Sequence, residues 1–393
     1  MLNTIAMLTL ITILNLFLHF GQTPQPQFKA QTIDSNIAIG YGIALGDVDG
    51  DGKPDILLAD KKQFVWYRNG DWKKFVMIEN LTGHDNVCIA ARDINGDGKV
   101  EVAAGAQWNP SETADAEQSG SVHYLIRPDD PTGPWKAVEL HHEPTVHRMK
   151  WLKSSDGKIY LVVAPLHGRG NVNGEGEGAK VIAYEYPKDV NGQWIMHTLT
   201  NDMHLTHNFH LAESNDKKKN GFYLAGKEGV RFIHENFNKS FEGKSELLAG
   251  LVYGAGEVRI GKAAPNKNFI ATIEPMHGDK VVVYPLDDAT KRIVIDDNVK
   301  EGHALAAADF LNAGSDQIVA GWRIPNKDNM VGIKLYTKKD ASGIQWESQW
   351  IDQNEMACED IQVMDMNKDG KPDIVASGRS THNLKIYWNT SGK

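Results

Sequence analysis

The stretch "GDVDGDGKPDILLAD", residues Gly46–Asp60, sets a dense acidic loop directly against a short apolar run. An EF-hand loop needs oxygen ligands at positions 1, 3 and 5, Gly at 6 and a bidentate Glu at 12. Asp47, Asp49, Asp51 and Gly52 meet the first half. Position 12 is Leu58, which has no ligand atom. Asp55 stands at position 9 instead and is followed by "ILLA", a short β-prone run that reads as a strand. The loop therefore lies between two strands and not between two helices.

The same setting returns at "RDINGDGKVEVAAG" (Asp93, Asn95, Asp97, Glu101) and "MDMNKDGKPDIVASG" (Asp365, Asn367, Asp369, Asp373). Alignment on the strand after each loop gives seven units. They begin at "YGIALG", "GHDNVCIA", "VHRMKW", "THNFHL", "AGEVRI", "GHALAA" and "ACEDIQ". Each supplies a strand, a polar loop and a second strand rich in small residues. A third strand such as "FVWYRN", "VIAYEY" or "LKIYWN" follows, then a fourth such as "WKKFVMIEN" or "WESQWIDQN". Four antiparallel strands at a period of roughly 45 to 60 residues define a β-propeller. The expected fold is all-β, with seven four-stranded antiparallel blades. The last unit stops at "IYWNTSGK" without a fourth strand, and "QFKAQTID" (Gln27–Asp34) has the fourth-strand pattern. The N-terminal strand is thus expected to complete the last blade and cover an otherwise open sheet edge.

A hydrophobic content of 41% over 393 residues supports a large core. A net charge of −9 argues against nucleic acid as a partner, and much of the acid lies in the loops above. Two cysteines, Cys88 and Cys358, exclude a disulfide framework and read as buried thiols. The N-terminus is apolar from Ile5 to Phe20 and then turns polar and proline-rich, as a signal peptide does. The expected organisation is a signal peptide over residues 1–22 and one propeller over 23–393. The expected product is an exported protein, periplasmic or secreted, monomeric, with no membrane contact beyond the signal.

Strand direction then places the chemistry. The acidic loops join strands one and two on one face. The starts of strand one and the loops joining strands two and three share the other face, around the axis. Strand-one starts bring Tyr41, His84, His147, His207, Glu257, His303 and Glu359 there. The two–three loops add Trp108, His167, Arg169, Lys227, Glu228, His277, Trp322, Arg323, Arg379 and His382. Several histidines and two glutamates in equivalent ring positions suit acid–base work near neutral pH, or a metal bound by imidazole and carboxylate. Arginines offer a fork for an anionic group, and Trp108 and Trp322 a platform for a sugar ring. No G-x-S-x-G and no Walker A loop occurs, and neither cysteine lies in an exposed polar setting.

The D-x-D/N-x-D-G-x-x-D/E loops resemble the FG-GAP (VCBS) repeat of integrin-like propellers. That resemblance implies structural calcium at up to three sites: Asp47, Asp49, Asp51, Asp55; Asp93, Asn95, Asp97, Glu101; and Asp365, Asn367, Asp369, Asp373. Four units lack two or more of these ligands. The phrases "GAGEVRIG", "ATIEPMHG", "GHALAAADF", "QIVAGWR" and "MACEDIQVMDMNKDGKPDIVASGR" resemble the propeller part of aldos-2-ulose dehydratase-like proteins, without their cupin part. The architecture is similar, more loosely, to propeller-type ulvan lyases and dehydratases. These resemblances imply β-elimination on a saccharide: loss of water from a keto sugar or from a terminal uronic acid. The residues expected to catalyse it are His147, His207, Tyr41, His303, Arg323 and Arg379. Trp108, His167, Arg169, His277, Trp322 and His382 are expected to bind substrate. A divalent ion (Zn2+, Mn2+ or Mg2+) is expected at Glu257 and Glu359. The alternatives are a propeller-type polysaccharide lyase and a calcium-stabilised binding propeller without catalysis.

Overall fold

The structure is a computed structural model that describes residues 25–392, apart from 217, 236–244, 249 and 341. The proposed signal peptide lies outside the described residues. Among the described residues, twenty-eight strands form seven four-stranded antiparallel sheets arranged as a ring of blades. The innermost strands are Gly42–Gly46, Cys88–Arg92, Val146–Lys153, Thr206–Ala212, Glu257–Ala264, Gly302–Ala308 and Cys358–Met364, in blades 1 to 7. Phe28–Asp34 is the fourth strand of blade 7 and pairs antiparallel with Asn383–Asn389, from Phe28 opposite Asn389 to Asp34 opposite Leu384. The ring thus closes with strands from both ends of the chain, as the sequence predicts.

Seven apolar clusters of described residues fill the ring, one between each pair of neighbouring blades. Small residues on the second strands let the blades approach. A Cβ on Gly105 would stand 2.5 Å from Cys88 Sγ in its own blade and 3.1 Å from Val146 and Met149 of the next, and one on Gly321 would stand 2.5 Å from Cys358 Sγ of the next blade. Both thiols are free and buried, packed as small apolar groups.

A polar latch repeats on the outer side. A buried tyrosine on the third strand of one blade donates to an aspartate ending the fourth strand of the blade before it. Tyr336 reaches Asp296 at 2.9 Å, Tyr387 reaches Asp352 at 2.7 Å and Tyr67 reaches Asp34 at 2.7 Å. A lysine joins each aspartate: Lys334, Lys385 and Lys74. Asp34 belongs to the N-terminal strand, so this strand carries the latch chemistry of a blade as well as its backbone pairing.

The acidic loops show a second repeated device. The position-9 carboxylate accepts the backbone N–H of position 2: Asp55 from Val48, Glu101 from Ile94 and Asp373 from Met366. Gln317 does the same for Phe310 in blade 6, whose loop lacks the acidic pattern. The clamp is therefore a property of the turn and does not depend on the full ligand set. In blade 1, Asp47, Asp49 and Asp55 bring carboxylate oxygens within 4.8 Å of one another.

Candidate active site

Four innermost strands break register where a site residue lies. The shifts fall between Val146 and Arg148, Thr206 and Phe209, Gly302 and Ala304, and Cys358 and Asp360. They enclose His147, His207, His303 and Glu359. A bulge of this kind turns a side chain out of the pleat's alternation, and here it turns four side chains towards the ring axis.

The histidines are then locked by the neighbouring blade. His147 Nδ1 lies 3.0 Å from the carbonyl of His207, His207 Nδ1 lies 2.9 Å from that of Gly256, and His303 Nδ1 lies 2.6 Å from that of Glu359. A carbonyl only accepts, so each Nδ1 carries the proton and each Nε2 keeps its lone pair. Backbone carbonyls that fix tautomers in this way are the usual outer layer of imidazole metal sites. His277, from the loop after the second strand of blade 5, approaches from above. Its left-handed backbone (φ 53°) brings its Nε2 to 2.8 Å from His207 Nε2.

His207, His277 and His303 place ring nitrogens within 4.8 Å of one another, a set able to hold one metal ion. Burial holds all three below the ordinary imidazole range. His277 is pushed down to about 2, with His207 and Arg323 adding to burial. The three rings are thus neutral at physiological pH, the form a metal requires.

Glu257 and Glu359 take other roles than the expected one of metal ligands. Glu257 is fully buried, and its carboxylate accepts from Asn208 at 2.9 and 3.0 Å and pairs with Arg259 at 3.0 Å. Burial alone would raise its pKa, but Arg259 and His207 outweigh it and hold the carboxyl low. One oxygen lies 3.3 Å from His207 Nδ1, so Glu257 backs that ring from behind. Glu359 grips two guanidinium groups, Arg323 at 3.1 Å and Arg379 at 2.8 Å. Arg323 is also held by Glu301 at 3.0 Å. Glu359 thereby fixes an arginine pair at the mouth, beside the imidazoles.

Tyr41 completes the ring on the blade 1 side. Its hydroxyl donates to Asp85 at 3.2 Å, and Arg379 lies 5.3 Å above its ring. Burial and then Asp85 raise the phenol to about 12, so it keeps its proton at neutral pH. His147 packs at 5.1 Å against Trp108, and its Nε2 faces Arg148 Nη1 at 3.3 Å.

The remaining expected residues spread out. Trp322 is 0% exposed; its indole donates to the Met330 carbonyl and it packs on Trp350. It is a core residue and cannot stack on a ligand, because no face of it reaches solvent. Arg169 is bound by Glu143 and the Ala114 carbonyl. His167 is half-buried in a backbone bridge with Leu205. His382 is exposed, with Nδ1 on the Ala38 carbonyl. His84 is exposed and precedes its strand by four residues. Asp85, the partner of Tyr41, was not among the expected residues. Its signal was its place beside His84 in "GHDN".

Fold and site together define a seven-bladed propeller with a cluster of buried imidazoles beside a fixed arginine pair. Residues 119–287 match the family described as aldos-2-ulose dehydratase, beta-propeller domain. That span carries His147, His207, Glu257 and His277. Residues 47–104 match the FG-GAP-like repeat and include the first two acidic loops. No curated protein matches the chain. Among solved structures, a chain of "Crystal Structure of Mitotic Checkpoint Complex" superposes with a TM-score of 0.57 at 11% identity, covering 98% of this chain and 99% of that one. The WD40 beta propeller domain of Doa1 gives 0.50 at 8%, covering 92% and 97%. At such identities the likeness concerns the fold alone.

Proposed function

We propose that this protein is a carbon–oxygen lyase that eliminates water from a saccharide, either a keto sugar or a terminal uronic acid. The observation that carries this reading is the convergence of His207, His277 and His303 on one point, beside a neutral phenol and a fixed arginine pair. The match to a dehydratase propeller supports the carbohydrate class.

β-Elimination needs a base for the proton next to a carbonyl or carboxylate, a stabiliser for the developing enolate, and an acid for the departing oxygen. His207, His277 and His303 would hold a divalent ion, their all-nitrogen donor set suiting zinc best, and when bound it would supply Lewis acidity. The chain's own groups do the rest. His147, with its proton fixed on Nδ1, would act as base through Nε2 once that lone pair is released from Arg148 Nη1, which it meets at 3.3 Å. Tyr41 offers a phenolic proton to the leaving oxygen. Arg323 and Arg379, held by Glu359, orient the oxygen-rich end of the substrate. The three acidic loops bind calcium and stiffen blades 1, 2 and 7 in this reading, and the protein is exported. The test is mass spectrometry of keto sugars and uronate oligosaccharides incubated with purified protein. Loss of one water with a new near-ultraviolet chromophore supports the reading. Unchanged pools with metal and calcium supplied reject it.

A further inference from the structure

The axial channel has a second mouth, on the face of the acidic loops. It is a cavity of about 310 Å3, lined by the innermost strands of blades 1, 2, 3, 4 and 7. That volume is at the low end for ligand pockets and suits a small molecule. Arg148 and Lys150 both line it. They stand two apart on one strand, so their side chains leave the same face about 6.6 Å from each other.

The cations there are short of counter-charge. The carboxylate of Asp360, the acid lining the cavity, already accepts the backbone N–H groups of Ile43 and Ile361. The deeper acid, Glu257, is taken by Arg259 and Asn208. Arg92, at the rim, is paired with Glu213. Arg148 spends only Nη1, on the ring and carbonyl of His147. The Lys150 ammonium lies 5.5 Å from the centre of the Phe209 ring. It has no hydrogen-bonding or ion-pairing partner among the described residues. Burial, and then Arg259, pull its pKa down to about 7, outweighing the carboxylates of Glu257 and Asp360.

We propose that this mouth binds a small oxyanion, a carboxylate or a phosphate, between the Lys150 ammonium and the unspent donors of Arg148. Apolar walls from Ile89, Leu211 and Val363 limit its size. The site adjoins the imidazole cluster through Arg148, whose Nη1 meets His147 Nε2, but the proposal does not rest on the elimination chemistry.

The test is isothermal titration calorimetry of the full propeller with inorganic phosphate and with acetate, at ionic strength fixed by sodium chloride. Saturable binding of either anion is expected, and the tighter one names the source. Lys150→Met should weaken it at least tenfold, and Arg379→Gln, at the opposite mouth, should leave it unchanged. In wild-type protein the anion should also slow acetylation of Lys150 relative to exposed Lys53, read by peptide mass spectrometry, which needs no variant to fold. The proposal is overturned if neither anion saturates, if Lys150→Met binds as wild type does, if Arg379→Gln abolishes binding, or if Lys150 gains no protection.

Discussion

The imidazole cluster makes a quantitative prediction about metal binding. Zn–N bonds are about 2.0–2.1 Å, so two nitrogens on a tetrahedral ion stand about 3.3 Å apart. His207 Nε2 and His277 Nε2 are 2.8 Å apart, so the two rings must separate by roughly 0.5 Å when an ion enters. Two bare lone pairs would repel at 2.8 Å. In the metal-free pair one ring must donate, and His207 has its proton fixed on Nδ1 by the Gly256 carbonyl. His277 is therefore the Nε2–H tautomer, and it must move that proton to ligate. Metal-free protein titrated with zinc should show a first shell of three nitrogens at about 2.05 Å by X-ray absorption. Free zinc at 100 times its dissociation constant adds about 2.7 kcal/mol to stability. For a chain of this size that raises the melting midpoint by about 3 °C. His277→Ala removes one of three ligands and should abolish most of that shift, while Asp49→Asn in the blade 1 loop should not. An equal shift in His277→Ala and wild type, or an oxygen-dominated first shell, would refute the assignment.

Other outcomes follow from the same geometry. Tyr41→Phe should lower turnover by about 10²–10⁴-fold if the phenol is the acid, with the fold intact by circular dichroism. Tyr67→Phe removes the donor to Asp34 and should weaken the ring by about 1–2 kcal/mol in urea unfolding. Asp34 titrates below its ordinary value: burial raises it, but Tyr67 and the Asn36 backbone prevail. Its contribution is therefore present above the unfolded carboxylate pKa and is lost as pH falls through the lower folded value. Urea midpoints measured on either side of that range should converge for wild type and Tyr67→Phe at the acid end. Trp108→Ala should raise KM for the saccharide, whereas Trp322→Phe should lower the melting midpoint and leave KM alone.

The blade count, the strand order and the closing strand were legible because they depend on local signals. The Asp-rich turn is followed each time by an apolar run, and "QFKAQTID" has the same outer-strand pattern as five internal segments. Which side chains meet on the axis was legible only in part. Strand starts could be counted from the turns, and this correctly brought His147, His207, His303, Glu359 and Tyr41 to one mouth. A bulge, however, depends on the pairing of two strands, and neither strand alone announces it. Nothing in "VHRMKW" or "GHALAA" says that the histidine leaves the pleat.

The loop residues show the same limit from the other side. His167 and His277 both lie shortly after a second strand, in "PLHG" and "EPMHG". His277 takes a left-handed backbone and reaches His207, while His167 is drawn into a bridge with Leu205. Trp322 and Trp108 were equally aromatic in the sequence, yet one indole donates to the Met330 carbonyl inside the core and the other lies against His147. The glutamates complete the case. Their spacing put them in the ring, and carboxylates in a ring of histidines read naturally as ligands. Only the partners decide otherwise: Arg259 and Asn208 absorb the charge of Glu257, and Arg323 and Arg379 that of Glu359. Those partners come from blades 4 to 7, up to 49 residues away in the chain. The division of labour, with imidazoles at the centre and carboxylates holding the surrounding arginines, is thus a property of the closed ring and not of any one repeat.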